Sequence, residues 1–298
     1  MILRRRITDV NRDRHAPIGV FDSGVGGLTV LKALREQLPG EDFIYLGDTA
    51  RLPYGRKPPE MVREFASQIS SFLVQQGVKF VVIACNTASS CALPGLASDL
   101  EIPVLGVIEP GVAAARAILD PKAAPHGLGS LNHGGQVGVV ATKGTINARA
   151  YQSRLEKAGL RVWSQACPMF VPLVEEGLAD SLEAQLMVKH YLKDRPSDLE
   201  VLILGCTHYP MLKPVIAAEL GSGVTIVDSA SVTASETTLE LTEMQLLNPR
   251  ASGGEVIHYV TGDPQSYQHT ASVIGGVSGE IRLLEIEKLL EMSLQHAH

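Results

Sequence analysis

Two of the four cysteines stand in company that could do chemistry. Cys85 opens Cys85-Asn86-Thr87 and Cys206 opens Cys206-Thr207-His208. Each follows an apolar run, Phe80-Val81-Val82-Ile83-Ala84 and Val201-Leu202-Ile203-Leu204, which reads as a buried parallel strand. A strand that ends where a helix begins sets a thiol at a helix N-terminus, and that lowers its pKa from about 8.5 towards neutrality. One such group can take a proton while another gives one. The two motifs lie 121 residues apart and echo each other, as two half-chains of similar plan would, with one cysteine on each side of a cleft.

Two thiols of this kind suit three chemistries. One cysteine could be a nucleophile with His208 as its base. The pair could be redox-active if the sulfurs come within disulfide range. Or one thiolate could remove a proton from a carbon while the opposite thiol returns one on the other face, inverting a stereocentre. Asp22, after another apolar run, and His208, which titrates near neutral pH, fit as helpers. Each also fits a structural role, Asp22 as a turn or cap residue and His208 as a hydrogen-bonded imidazole.

Other motifs are weaker. Gly24-Val25-Gly26-Gly27 departs from G-x-G-x-x-G at Thr29 and lacks a P-loop lysine, so nucleotide binding has little support. Its backbone N–H groups suit a carboxylate as well as a phosphate. Cys91 and Cys167 carry no polar signature and read as packing residues. There is no C-x-x-C, and Cys206-x-His208 has no second ligand pair, so no metal is expected.

The elements that position these groups alternate. A strand at Ile18–Phe21 meets the glycine turn, and Leu28, Leu31, Leu34 and Leu38 follow at helical spacing until Pro39-Gly40. Phe43–Leu46 is a strand leading into the polar loop Asp48–Gly55, and Met61, Phe65, Ile69 and Phe72 mark a helix. Strands are expected at Val104–Ile108, Val137–Val140, Val162–Gln165, Val224–Val227 and Val256–Val260, with helices at Ile146–Ala158 and Leu182–Leu192. Leu283, Ile286, Leu290 and Leu294 give the C-terminus an apolar helical face, and positions 120–135 read as a loop. The alternation implies an α/β fold with mostly parallel sheets flanked by helices, and ligands there bind beyond the carboxyl ends of strands.

Composition narrows the class. With 298 residues, 45% hydrophobic and 19% charged, the chain can build two domains and is no disordered polymer. A net charge of −6 gives no electrostatic pull towards nucleic acid or an acidic membrane. Four cysteines are too few for a disulfide scaffold, the arginines at 4–6 lack the apolar stretch of an export signal, and the charge-free run 80–98 contains Asn86, Thr87 and Pro94. A reducing, cytoplasmic setting is the expectation.

Four segments together resemble the motifs of the glutamate racemase family: Phe21-Asp22-Ser23-Gly24-Val25-Gly26-Gly27-Leu28-Thr29-Val30, Tyr45 through Gly55, Ala84-Cys85-Asn86-Thr87-Ala88 and Leu204-Gly205-Cys206-Thr207-His208-Tyr209-Pro210. They occur in the family's order and spacing, and the likeness covers about residues 17–290. The resemblance implies cofactor-independent interconversion of L- and D-glutamate for bacterial peptidoglycan synthesis. It also implies two similar α/β domains with the active site in the cleft between them. The boundaries expected are a polar tail at 1–15, a first domain of 16–110 plus 225–298, and a second of 111–224. By the same resemblance Cys85 would act on D-glutamate and Cys206 on L-glutamate, with Asp22 assisting Cys85 and His208 assisting Cys206. Ser23, Tyr54, Gly55, Asn86, Thr87 and Thr207 would bind substrate together with Asp22 and His208. Asp48 and Glu175, the latter preferred to Glu176 in Pro172-Leu173-Val174-Glu175-Glu176-Gly177, are further candidates. Family members occur as monomers and as dimers, which leaves a homodimer open. An aspartate racemase of the same superfamily is the runner-up, followed by a nucleotide-binding α/β protein, a Cys/His hydrolase and a metal-binding protein.

Overall fold

The computed structural model describes residues 13–120, 134–275 and 277–294. Almost all of the expected tail at 1–15 and of the loop at 120–135 lies outside these residues. In chain order the strands are β1 (Ile18–Asp22), β2 (Phe43–Gly47), β3 (Phe80–Ile83), β4 (Val104–Gly106), β5 (Gln136–Ala141), β6 (Arg161–Ala166), β7 (Val201–Gly205), β8 (Thr225–Asp228), β9 (Val256–Val260) and β10 (Glu280–Leu283). They form two sheets with helices between successive strands, and every pairing is parallel.

The first sheet runs β10-β9-β2-β1-β3-β4 and the second β6-β5-β7-β8. The stretch β2-β1-β3-β4 and the whole second sheet therefore follow one plan, and the echo between the two cysteine motifs has a structural basis. β1, β2, β3, β5 and β7 are buried along their whole length, as apolar runs covered by helices on both faces must be. The edge strands β6, β8 and β10 are more exposed and less apolar. One cluster of buried side chains holds Val20 and Val82 of the first sheet with Val140 and Leu204 of the second, so the two halves pack against each other.

Two expectations need correction. The boundary expected at 224 puts residues 225–228 in the first domain, but β8 pairs with β7 in the second sheet. The short run Val224–Val227 carries no mark of which sheet it joins, and the crossover through the helix Lys213–Leu220 delivers it beside β7. The single helix expected over Ile146–Ala158 is two helices, Lys143–Ala148 and Ala150–Lys157. They divide at Arg149, whose backbone is left-handed (φ 54°), a conformation that an arginine does not advertise in sequence.

The foot of the first sheet is pinned by a buried ion pair. Lys79 Nζ lies 2.6 Å from Glu41 Oε2 and donates at 2.6 Å to the carbonyl of Arg14, and Glu41 Oε1 accepts from the Asn248 N–H at 2.7 Å. Such a pair adds little by itself, but removing one partner strands a buried charge. Lys79→Met is expected to lower the unfolding free energy by about 3–5 kcal/mol in urea titration. A loss below about 1 kcal/mol, the range of an exposed pair, would contradict this reading.

Candidate active site

The polar groups gather at the carboxyl ends of the central strands of both sheets. In the first sheet Asp22 ends β1, and Cys85 lies just beyond β3. The Ala84 N–H donates to the Phe21 carbonyl at 2.9 Å, which holds the two strand ends side by side. In the second sheet Ala141 pairs with Gly205, so Thr142 and Cys206 are neighbours in the same way.

Asp22 is fully buried, and its Oδ2 accepts from the Gly24 N–H at 2.9 Å. The carboxylate served by the glycine turn is thus the chain's own. Burial raises the Asp22 pKa, while the nearby His208 charge and the N–H groups of Gly24 and Gly27 pull it back. Cys85 caps the helix Asn86–Asp99, its sulfur accepting from the Ala88 N–H at 3.4 Å, and its thiol points to Ser23 Oγ at 3.8 Å. The helix terminus is where the sequence places it, yet the direction of the shift is reversed. Burial and the Asp22 charge push the Cys85 thiol up to about 12, against the smaller pull of Ala88 and Ser23. A charge on Cys206 would push the same way, as the smallest of these effects.

Cys206 has different company. It leads into a three-residue-per-turn helix, Tyr209–Leu212, with the α-helix Lys213–Leu220 beyond, so it is not itself at an α-helix N-terminus. Its sulfur lies 3.9 Å from His208 Nδ1, and His208 Nε2 lies 3.0 Å from Glu175 Oε1. Glu175 ends the helix Phe170–Glu175, whereas Glu176 is exposed. Burial disfavours the imidazolium, but hydrogen bonds to the Cys206 sulfur and the Glu175 carboxylate, together with their charges, outweigh it and raise His208 to about 10. The Tyr209 hydroxyl donates to the Cys167 carbonyl at 2.8 Å and anchors the loop. Burial raises the thiols of both Cys91 and Cys167.

The halves meet through small groups. The Thr207 hydroxyl donates to Asp22 Oδ1 at 3.4 Å, and the Thr29 hydroxyl to the Thr207 carbonyl at 2.9 Å. A Cβ on Gly26 would stand 2.3 Å from Thr207 Oγ1 and 2.4 Å from His208 Nδ1, so only glycine lets the turn close on that loop. Thr87 Oγ1 is 3.0 Å from Thr142 Oγ1 and 3.1 Å from Thr145 Oγ1. Gly55 backs onto Thr142, where a Cβ would come within 2.8 Å of the threonine's own. The Tyr151 hydroxyl donates to Asn86 Oδ1 at 2.9 Å.

Asp22, Ser23, Cys85, Asn86, Thr87, Glu175, Cys206, Thr207 and His208 therefore belong to one connected constellation. Tyr54 differs in one respect. Its hydroxyl donates to Asp48 Oδ2, and Asp48 also accepts from Arg51 Nε at 2.7 Å and the Thr261 hydroxyl at 2.8 Å. Asp48 and the Tyr54 ring brace the loop that presents Gly55. Sequence reasoning missed Thr142, Thr145 and Tyr151, although Thr142-Lys143-Gly144-Thr145 follows β5 and meets the same strand-end rule. Among the described residues no group of three His, Cys, Asp or Glu could hold a metal ion, and no helix is long and apolar enough to cross a membrane.

A profile of the Asp/Glu/Hydantoin racemase family matches residues 18–237. The chain belongs to that family. It is 51% identical over 278 residues to a protein named glutamate racemase from Thermus thermophilus, covering 93% of this chain and 100% of the relative. The crystal structure of a Thermus thermophilus glutamate racemase in complex with β-chloro-D-alanine superposes with a TM-score of 0.83 at 51% identity, covering 93% and 100% of the two chains. That of the Francisella tularensis glutamate racemase in complex with D-glutamate gives 0.80 at 36% identity, covering 92% and 99%. This member of the racemase family thus shares its fold with structures solved with small amino-acid ligands.

The His208–Glu175 pair yields a pH test. Folding raises the His208 pKa, so the stabilisation is complete below the unfolded value of about 6.5 and fades as pH climbs through the folded value. Glu175→Gln removes one charge holding the proton. The NMR titration midpoint of His208 is expected to fall from about 10 towards neutrality, and the variant's Tm deficit should be larger at pH 6 than above pH 10. An unmoved midpoint would show that Glu175 does not set it.

Proposed function

We propose that the chain is a glutamate racemase that works without a cofactor, Cys85 and Cys206 acting as opposed acid and base. The observation that carries this reading is the pairing itself. Two free thiols stand at equivalent strand ends of two similarly ordered sheets, each beside its own ionisable helper. With L-glutamate, a Cys206 thiolate takes the α-proton while the Cys85 thiol gives its proton to the opposite face. The product is D-glutamate, with Cys206 protonated and Cys85 ionised. D-glutamate runs the same steps in reverse, and exchange with solvent resets the thiols.

The residues around the sulfurs serve this exchange. The His208 imidazolium offers the counter-charge a Cys206 thiolate needs, with Glu175 orienting the ring. Asp22 is the corresponding partner of Cys85, and its charge favours the protonated thiol. Removing an α-proton builds negative charge onto the substrate carboxylate, and fixed donors must stabilise it. Ser23, Asn86 and Thr87 supply side-chain donors, Thr142 and Thr145 join them through Thr87, and Thr207, whose hydroxyl is turned to Asp22, contributes backbone. Tyr54 and Gly55 contribute backbone, because the Tyr54 hydroxyl is taken by Asp48. Both thiols come from one chain, so the chemistry needs no second copy. The D-glutamate formed would feed peptidoglycan synthesis in the cytoplasm, where free thiols persist.

The test uses metal-free, cofactor-free protein with L-glutamate in D₂O, followed by optical rotation and α-proton NMR. Racemisation with deuterium entering the product is expected, and aspartate should react far more slowly. Cys85→Ala and Cys206→Ala should each lower kcat by about 10²–10⁴-fold, the contribution of a positioned acid or base. Full activity with either cysteine alone would rule out the two-base scheme, and faster turnover of aspartate would reassign the substrate.

A further inference from the structure

Asn86 directly follows Cys85 and opens the helix Asn86–Asp99. Its side chain is buried, its Oδ1 accepts from the Tyr151 hydroxyl at 2.9 Å, and its Nδ2 is buried with no hydrogen-bond partner among the described residues. A buried amide donor left unpaired costs free energy, and native structures retain one where something else satisfies it.

Tyr151 decides which end of the amide is left over. It lies in the helix Ala150–Lys157 of the second half and has no exposure. Glycines wall its ring. A Cβ on Gly111 would come within 3.1 Å of it and one on Gly205, the residue before Cys206, within 3.2 Å. Burial, then the charge of Cys206, pushes the phenol pKa up, so the O–H keeps its single proton. Two acceptors compete for that proton, Asn86 Oδ1 at 2.9 Å and the Val107 carbonyl at 3.4 Å. The shorter contact lies at the usual hydrogen-bond distance and the longer one beyond it.

We infer that Tyr151 is a positioning residue, whose hydroxyl holds the amide oxygen of Asn86 so that the Nδ2 hydrogens are presented to a carboxylate oxygen of the substrate. Turned the other way, the amide would offer its oxygen and suit an ammonium group. Tyr151 belongs to one sheet's helices and Asn86 to the other's, so the amide is set only when the halves are packed as they are here. The inference rests on the glutamate reading.

Tyr151→Phe removes the hydroxyl and keeps the ring. Its KM for both enantiomers of glutamate is expected to rise about tenfold, with kcat changed less than about twofold, as befits loss of one oriented donor. Asn86→Asp keeps an oxygen for Tyr151 but replaces the N–H donors, and it should bind glutamate more weakly than Tyr151→Phe does. In that background Tyr151→Phe should add nothing further. Unchanged KM in Tyr151→Phe, multiplicative effects in the double variant, or undiminished glutamate binding by Asn86→Asp would each overturn the assignment. A packing role alone would lower Tm without this pattern. The side-chain amide resonances of Asn86, identified by their loss in Asn86→Asp, should shift in Tyr151→Phe whatever the chain turns over. If the wild-type chain fails to racemise glutamate, the activity reading falls, and that spectrum still decides whether Tyr151 orients Asn86.

Discussion

Asp22 is a carboxylate with no contact to water, held by the Gly24 N–H of its own turn and by the Thr207 hydroxyl of the other sheet. Much of the site's electrostatics follows from that burial. In a medium of low polarity a charge acts strongly on its neighbours. Desolvation raises Asp22 itself, and desolvation with the Asp22 charge raises Cys85. The glycine turn is the scaffold for this arrangement, because its N–H groups are spent on Asp22.

The two halves share a strand order but not an electrostatic design. The Cys85 side has an acidic partner, a hydroxyl and a helix terminus, whereas the Cys206 side has an imidazole with a carboxylate behind it. The proposed two-base exchange needs one sulfur ionised while the other is protonated, and unlike partners on like frameworks would provide that difference.

Contact between the halves at the site is built from glycines and short hydroxyl side chains. Gly26 against His208, Gly55 against Thr142 and the threonine cluster of Thr87, Thr142 and Thr145 bring backbone close to backbone. Each hydrogen bond across the join is worth about 0.5–1.5 kcal/mol net. The buried apolar cluster running from Val20 to Leu204 supplies the larger share of adhesion.

Local pattern was enough to read the parallel α/β architecture and the placement of Asp22, Cys85 and Cys206 at strand ends. A short, β-branched apolar run such as Phe80–Ile83 favours a buried strand, and the polar residues after it then lie at its end. The remaining features depend on packing. The reversal of the Cys85 shift is a sum of burial and neighbouring charge that no spacing encodes. The meeting of Glu175 with His208, the engagement of Tyr54 by Asp48, and the reach of Tyr151 to Asn86 join residues far apart in the chain or on different elements. Hydrogen-bond partners are chosen by how elements pack, just as β8 found its sheet through its crossover and not through its own residues.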